Sequence, residues 1–273
     1  TAWMPPGSLE DRDEYNSIIG DYQQAVQDWP TNKIKYEQQV KEWEVKKASG
    51  EQVGWRPSPP LGSPLSSKRP YALHNGMIAP LYELPIKGVL WYQGEGNART
   101  RQSCVQYETL LKDMVAHWRA NWGNKSMPFL VVQLPGFGKA TEKINTSHNW
   151  PWMRESQKNI EDILNCRTVC TIDSGMQRDI HPPYKENIGK RLAYAAQSMV
   201  YKQSSAPQSP EYCAHQFDGE STLITLKNVG SGLSASDPLI KDMNYDDGEV
   251  LGFTVINGDG KYQRVDGEII AYN

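Results

Sequence analysis

Lys87-Gly88-Val89-Leu90-Trp91-Tyr92-Gln93-Gly94-Glu95-Gly96-Asn97 passes from a short apolar run into a turn with two glycines. A run of that length bounded by glycine reads as a strand, and the glycines let the backbone approach a neighbour or a ligand closely. The same alternation continues downstream. Val105 to Trp122 carries Leu110, Leu111, Met114, Val115 and Trp118 at helical spacing and is stopped by Gly123. Phe129 to Leu134 is continuously apolar, as in a parallel-sheet strand covered on both faces. A second helix is expected over Met153 to Leu164, with Ile160, Ile163 and Leu164 facing inward. A third strand over 168–172 and a third helix over 186–201 follow. Strand–helix order of this kind predicts an α/β fold around a mostly parallel sheet.

The pattern differs on either side. Residues 33–48 read as a solvated helix, with Tyr36, Val40, Trp43 and Lys47 along one side. Residues 57–70 hold too many prolines for a helix or a central strand and read as an extended connector. Beyond the Ser/Pro/Gln stretch at 204–210, strands are expected over 221–227, 250–256 and 262–272. Asn257-Gly258-Asp259-Gly260 is the hairpin turn between the last two. The expected organisation is one domain over 1–203, with a helical and Pro-rich insertion at 20–70, and a partial β-rich domain over 211–273. The start at Thr1-Ala2-Trp3-Met4 and the stop inside a strand-like run suggest a processed subunit or a fragment.

Composition narrows the function classes. The 273 residues carry 29 Lys+Arg against 32 Asp+Glu, a balance that argues against a nucleic-acid partner. No apolar run is long enough for a membrane span. Cys104, Cys166, Cys170 and Cys213 lack paired spacing, so neither a disulfide framework nor a zinc site is expected. Cys166 and Cys170 read as buried thiols. Asn124-Lys125-Ser126 and Asn145-Thr146-Ser147 are glycosylation-type sequons that matter only on a eukaryotic secretory route. Nine Trp and fourteen Tyr against four Phe give many rings with a polar handle, suited to sugar-facing surfaces as well as to a core.

Ligands of open α/β sheets bind outside the carboxyl ends of the strands, and two stretches occupy that position. In the first, Gln93 and Asn97 offer amide donors and Glu95 a carboxylate, beside Gly94. In the second, Ile172-Asp173-Ser174-Gly175 leads to Arg178-Asp179-Ile180-His181-Pro182. His181 suits general-base work near neutral pH, and a carboxylate such as Asp179 can orient its ring. His74, His117, His148 and His215 have weaker claims.

Read together, these stretches resemble the sialate O-acetylesterase group of SGNH hydrolases. Tyr92 to Asn97 is similar to its "WYQGESN" signature, and Asp179-Ile180-His181-Pro182 with Lys185, Gly189, Arg191 and Leu192 to its "DIHP…K…G.RLA" block. Asn75 to Leu81 resembles "YNGMIAPL", and Ala2-Trp3-Met4 the end of "GGTxxEAW". The resemblance implies a flavodoxin-like SGNH three-layer α/β sandwich, incomplete at its N-terminus, with a C-terminal β-rich module. It implies hydrolysis of acetyl esters on sugars, O-acetylated sialic acid foremost, without metal or organic cofactor. His181 would be the base, oriented by Asp179 or by Glu95, since Arg178 fills the place three before the histidine where SGNH enzymes keep their acid. Gln93 or Asn97, with Gly94, would bind the oxyanion. Gly96 stands where the signature has serine. The family's nucleophile lies in a "GQSN" block that these residues do not contain, so the expected partner is an N-terminal fragment of the same protein. The implied location is extracellular, periplasmic or lysosomal. An acetylxylan-type esterase and a non-catalytic carbohydrate-binding protein are the alternatives.

Overall fold

A computed structural model describes residues 1–138, 149–204, 206–233, 250, 253–256, 258–259 and 261–270. His148, the sequon at Asn145, and Asn257 and Gly260 of the expected turn lie outside the described residues. The chain divides into two compact units, residues 1–86 with 112–125 and residues 87–111 with 126–273.

The first unit holds two helices, α1 (Asn16–Gln27) and α2 (Trp29–Ala48), neither of which buries a side chain. The expected solvated helix is therefore present, but it starts four residues earlier and a second helix precedes it. Pro30 in its first turn accounts for the start, because proline there forfeits no hydrogen bond. No helix or strand occupies 57–70. The core of this unit gathers Met4, Leu9 and Tyr15 with Val115 and Trp118, all at most 2% exposed. The Trp118 indole donates to the Trp3 carbonyl at 3.1 Å. Asp113 accepts the Tyr15 hydroxyl at 2.7 Å and a forked pair from Arg12 at 2.6 and 2.8 Å. Burial works against its charge, but these donors outweigh it and hold Asp113 below the usual carboxylate range. His117, on the same helix, faces Asp11 at 3.2 Å.

The second unit is built on a parallel sheet in the order β1 (Val89–Trp91), β2 (Phe129–Val132), β3 (Cys166–Val169). Its register pairs Val89 with Phe129 and Phe129 with Cys166. All four β2 residues are buried, matching the continuous apolar run. Helix α3 (Arg101–Asn121) belongs to this unit as far as Leu111, and there buries Cys104, Tyr107, Leu110 and Leu111 at a three-and-four spacing. Helix α5 (Glu186–Met199) packs Leu192, Ala195, Ala196 and Met199 against Leu130 and Val169.

Helix α4 (Trp150–Lys158) departs from expectation at both ends. It begins with Pro151 in its first turn and gives way to a 3-10 turn at Asn159–Asp162. The backbone is extended at Ile163, so the helical period lapses and Leu164 lies 74% exposed. The third strand starts two residues early because Asn165 takes a left-handed conformation (φ 56°), which asparagine tolerates better than most residues. Cys166 is buried but Cys170, one residue past the strand, is exposed, and all four cysteines are free thiols. Among the described residues the tail forms two antiparallel hairpins, β4 (Glu211–Phe217) with β5 (Thr222–Lys227) and β6 (Thr254–Ile256) with β7 (Tyr262–Arg264). Glu211 on β4 bonds Lys158 of α4 at 2.9 Å and Lys227 of β5 at 3.1 Å.

The loops after β2 and β3 touch through glycine. The Gly136 amide donates to the Ile172 carbonyl at 3.1 Å, and a Cβ on Gly175 would overlap the Gly136 carbonyl oxygen. A side chain there forces the two loops apart. Gly175→Ala is expected to lower unfolding stability by about 1–3 kcal/mol, the range of an overpacked core, as read from urea denaturation midpoints.

Candidate active site

Each predicted site residue sits within the second unit. Gln93, Gly94, Glu95 and Asn97 share one turn directly after β1. The Asn97 amide donates to the Gly94 carbonyl at 2.9 Å, and the Gln93 Nε2 donates to the Asn97 Oδ1 at 3.2 Å. The Gly94 amide donates to the Glu95 Oε2 at 3.1 Å. Glycine at 94 is a packing requirement, since a Cβ would come within 2.9 Å of the Gln157 Nε2 and 3.3 Å of a Leu134 methyl.

Asp179 and His181 share an exposed loop between β3 and α5. The Asp179 Oδ1 accepts the His181 backbone amide at 2.8 Å, which curls the loop around the carboxylate. No hydrogen bond or ion pair joins the His181 ring to Asp179 or to Glu95. The two loops meet through Lys185 and Tyr92. The Lys185 Nζ lies 4.7 Å from the centre of the Tyr92 ring and 3.3 Å from its hydroxyl. Burial, with the Glu95 charge second, raises the Tyr92 hydroxyl above its ordinary pKa, so it remains a neutral partner for the ammonium.

Four residues that sequence reasoning left without a role hold these loops. Gln157 of α4 is fully buried. Its Nε2 donates to the Gln93 carbonyl at 3.0 Å and the Val132 carbonyl at 3.3 Å, and its Oε1 accepts the Leu134 amide at 2.9 Å. Tyr107 of α3 donates to the same Gln93 carbonyl at 2.9 Å and accepts from the Trp91 indole at 3.0 Å. Burial pushes its hydroxyl well above the ordinary tyrosine range. A signal for Gln157 was present, because Trp150, Met153, Gln157 and Ile160 fall on one buried helical stripe. A polar side chain in register with an apolar stripe must find partners inside.

The other two, Asp173 and Arg191, brace the His181 loop. Arg191 of α5 reaches both Asp173 carboxylate oxygens, at 2.6 and 2.5 Å, and the Cys170 carbonyl at 2.8 Å. Ser174 is buried, and its hydroxyl donates to Asp173 at 3.3 Å. Among the described residues no cluster of three or more His, Cys, Asp or Glu could hold a metal ion, and no helix is long and apolar enough to cross a membrane.

Residues 49–198, more than half of the chain, match the family model for carbohydrate esterases described as sialic acid-specific acetylesterase. The chain belongs to this family. Within the family's reach, it is 26% identical over 176 residues to rat sialate O-acetylesterase, covering 58% of this chain and 31% of the rat protein. It is likewise 26% identical to the human sialate O-acetylesterase over 181 residues, covering 58% of this chain and 34% of the human protein. The crystal structure of a carbohydrate acetylesterase from Xanthomonas citri superposes with a TM-score of 0.65 at 34% identity, covering 75% of this chain and 44% of that one. The fold is thus an SGNH-like α/β fold. The chain spans about a third of the length of the curated relatives it matches.

The Asp173–Arg191 pair sets a pH dependence. Burial alone would raise the Asp173 pKa, but the Arg191 hydrogen bonds and charge outweigh it and hold the carboxyl below 3.8. A pKa depressed by folding contributes stability above the unfolded value, and that stability is lost as pH falls through the folded one. Asp173→Asn is therefore expected to be less stable than the parent at pH 7, by about 1 kcal/mol after solvent screening. The gap closes on acidification below about pH 4, which paired unfolding curves at pH 7 and pH 3 would show.

Proposed function

We propose that the protein of which this chain is part is a carbohydrate O-acetylesterase acting through an acetyl-serine, with O-acetylated sialic acid as the foremost substrate. The observation that carries this reading is the meeting of the amide-rich turn after β1 with the His181 loop, bridged by Lys185 and Tyr92, in a chain of this family.

The chemistry follows from the groups present. His181 takes the proton from a serine hydroxyl as it attacks the acetyl carbonyl, then returns that proton to the departing sugar oxygen. A water activated by the same ring releases acetate. Negative charge on the former carbonyl oxygen is met by N–H donors of the β1 turn, an interaction worth about 3–4 kcal/mol when well placed. The Gln93-to-Asn97 bond engages the Asn97 oxygen, leaving its Nδ2 directed elsewhere; this favours Asn97 as the side-chain donor, with the Gly94 amide beside it. Asp179, which already shapes the loop under His181, is the first candidate to orient the ring, and Glu95 the second. Ser174 is a poor nucleophile because it is buried and tied to Asp173, so we assign the attacking serine to a preceding segment of the same protein.

In the full-length protein, His181→Ala is expected to lower p-nitrophenyl acetate turnover by roughly 10³-fold while leaving the thermal unfolding midpoint within a degree or two. Turnover equal to the parent would remove His181 from the reaction. Acetate release from O-acetylated sialic acid over acetylxylan supports the substrate assignment, and the reverse preference overturns it. Sugar binding without any turnover would make the protein a binding module.

A further inference from the structure

We infer that Gln157 and Tyr107 are positioning residues that set the oxyanion donor at Gly94, an inference that rests on the esterase reading above. The peptide between Gln93 and Gly94 is planar, so its carbonyl and its N–H point in opposite directions. Two buried donors grip the carbonyl, the Tyr107 hydroxyl at 2.9 Å and the Gln157 Nε2 at 3.0 Å. Fixing that oxygen aims the Gly94 N–H away from the core. The N–H is met there by a carboxylate oxygen, the Glu95 Oε2 at 3.1 Å. A donor that already receives an anionic oxygen is the kind of group an oxyanion needs, and Glu95 occupies its place until substrate arrives.

Each grip is itself immobilised. Gln157 is held at its oxygen by the Leu134 amide at 2.9 Å, and Tyr107 by the Trp91 indole at 3.0 Å. The peptide therefore has two fixed anchors drawn from different helices, α4 and α3, and a Cβ at residue 94 would run into the first of them. Neither side chain touches substrate. Their effect is to spare the donor any reorientation as charge develops, which acts on the transition state and not on the ground state.

The test uses the full-length protein with p-nitrophenyl acetate. Tyr107→Phe removes one anchor with little change of shape and is expected to lower kcat about tenfold, with KM within about twofold and the pH profile unmoved. Gln157→Glu keeps the oxygen that accepts Leu134 but sets an acceptor against the Gln93 carbonyl, and is expected to lower kcat about a hundredfold. Should Gln157→Glu fail to fold, Tyr107→Phe decides alone. A folded Tyr107→Phe with the parent's kcat, or one in which KM rises as kcat falls, overturns the inference. His181→Ala, measured alongside, separates the two readings. If it is inactive while Tyr107→Phe turns over normally, the positioning role fails and the esterase stands; if the full-length parent shows no turnover, both fail.

Discussion

An amide side chain buried in the interior must satisfy its donor and its acceptor, and at Gln157 that demand ties together the ends of β1 and β2. Its oxygen takes the Leu134 amide, and its nitrogen takes the carbonyls of Gln93 and Val132. Leaving one such group unpaired in the interior costs about 1–3 kcal/mol, so the three bonds stand or fall together. The exits of β1 and β2 are thereby set relative to α4. Tyr107 repeats the constraint from α3, and Gly94 exists as glycine because the amide of Gln157 fills the space a side chain would use.

The His181 loop obeys a different logic. Where the β1 turn is fixed by neutral buried groups, the His181 loop is fixed by charge nearer to solvent. Arg191 holds Asp173 and the Cys170 carbonyl together, and the Gly136–Gly175 contact presses the β2 and β3 loops into backbone contact below them. His181 itself lies beyond these braces, on exposed chain curled by Asp179. In the reaction proposed above, the turn held by buried bonds would offer the oxyanion fixed dipoles, and His181 on the more exposed loop would take and return a proton.

The sheet was legible in the sequence because its signals are local. A continuous apolar run at 129–134, a stripe along residues 110–118 and glycines at the strand ends require no distant partner to be read. Residues Gln93, Gly94, Glu95 and Asn97 were legible as a group for the same reason, since four neighbours in one turn share their surroundings. What escaped depended on long-range pairing. Gln157 bonds a carbonyl 64 residues away, and Asp173 an arginine 18 residues on. The stripe of Trp150, Met153 and Ile160 marks Gln157 as buried but names none of its partners, and the Asp173–Arg191 spacing leaves no periodic trace. The end of α4 was misjudged because Ile163 and Leu164 continue a helical pattern that the backbone abandons at residue 159. Strand β4 passed unnoticed because its residues are mostly exposed and lack the apolar alternation that marks a half-buried strand.

Helices α1 and α2 present the reverse situation. Together they cover residues 16–48 almost without interruption, and neither hides a single side chain. Packing therefore constrains few of their residues, Trp43, which donates to the Gly54 carbonyl at 2.8 Å, among them, and leaves the rest to helix propensity and charge. Such a segment offers an experimenter a handle. A fluorophore, an affinity tag or a surface linker attached at an exposed α2 position such as Lys35 or Lys46 would meet solvent.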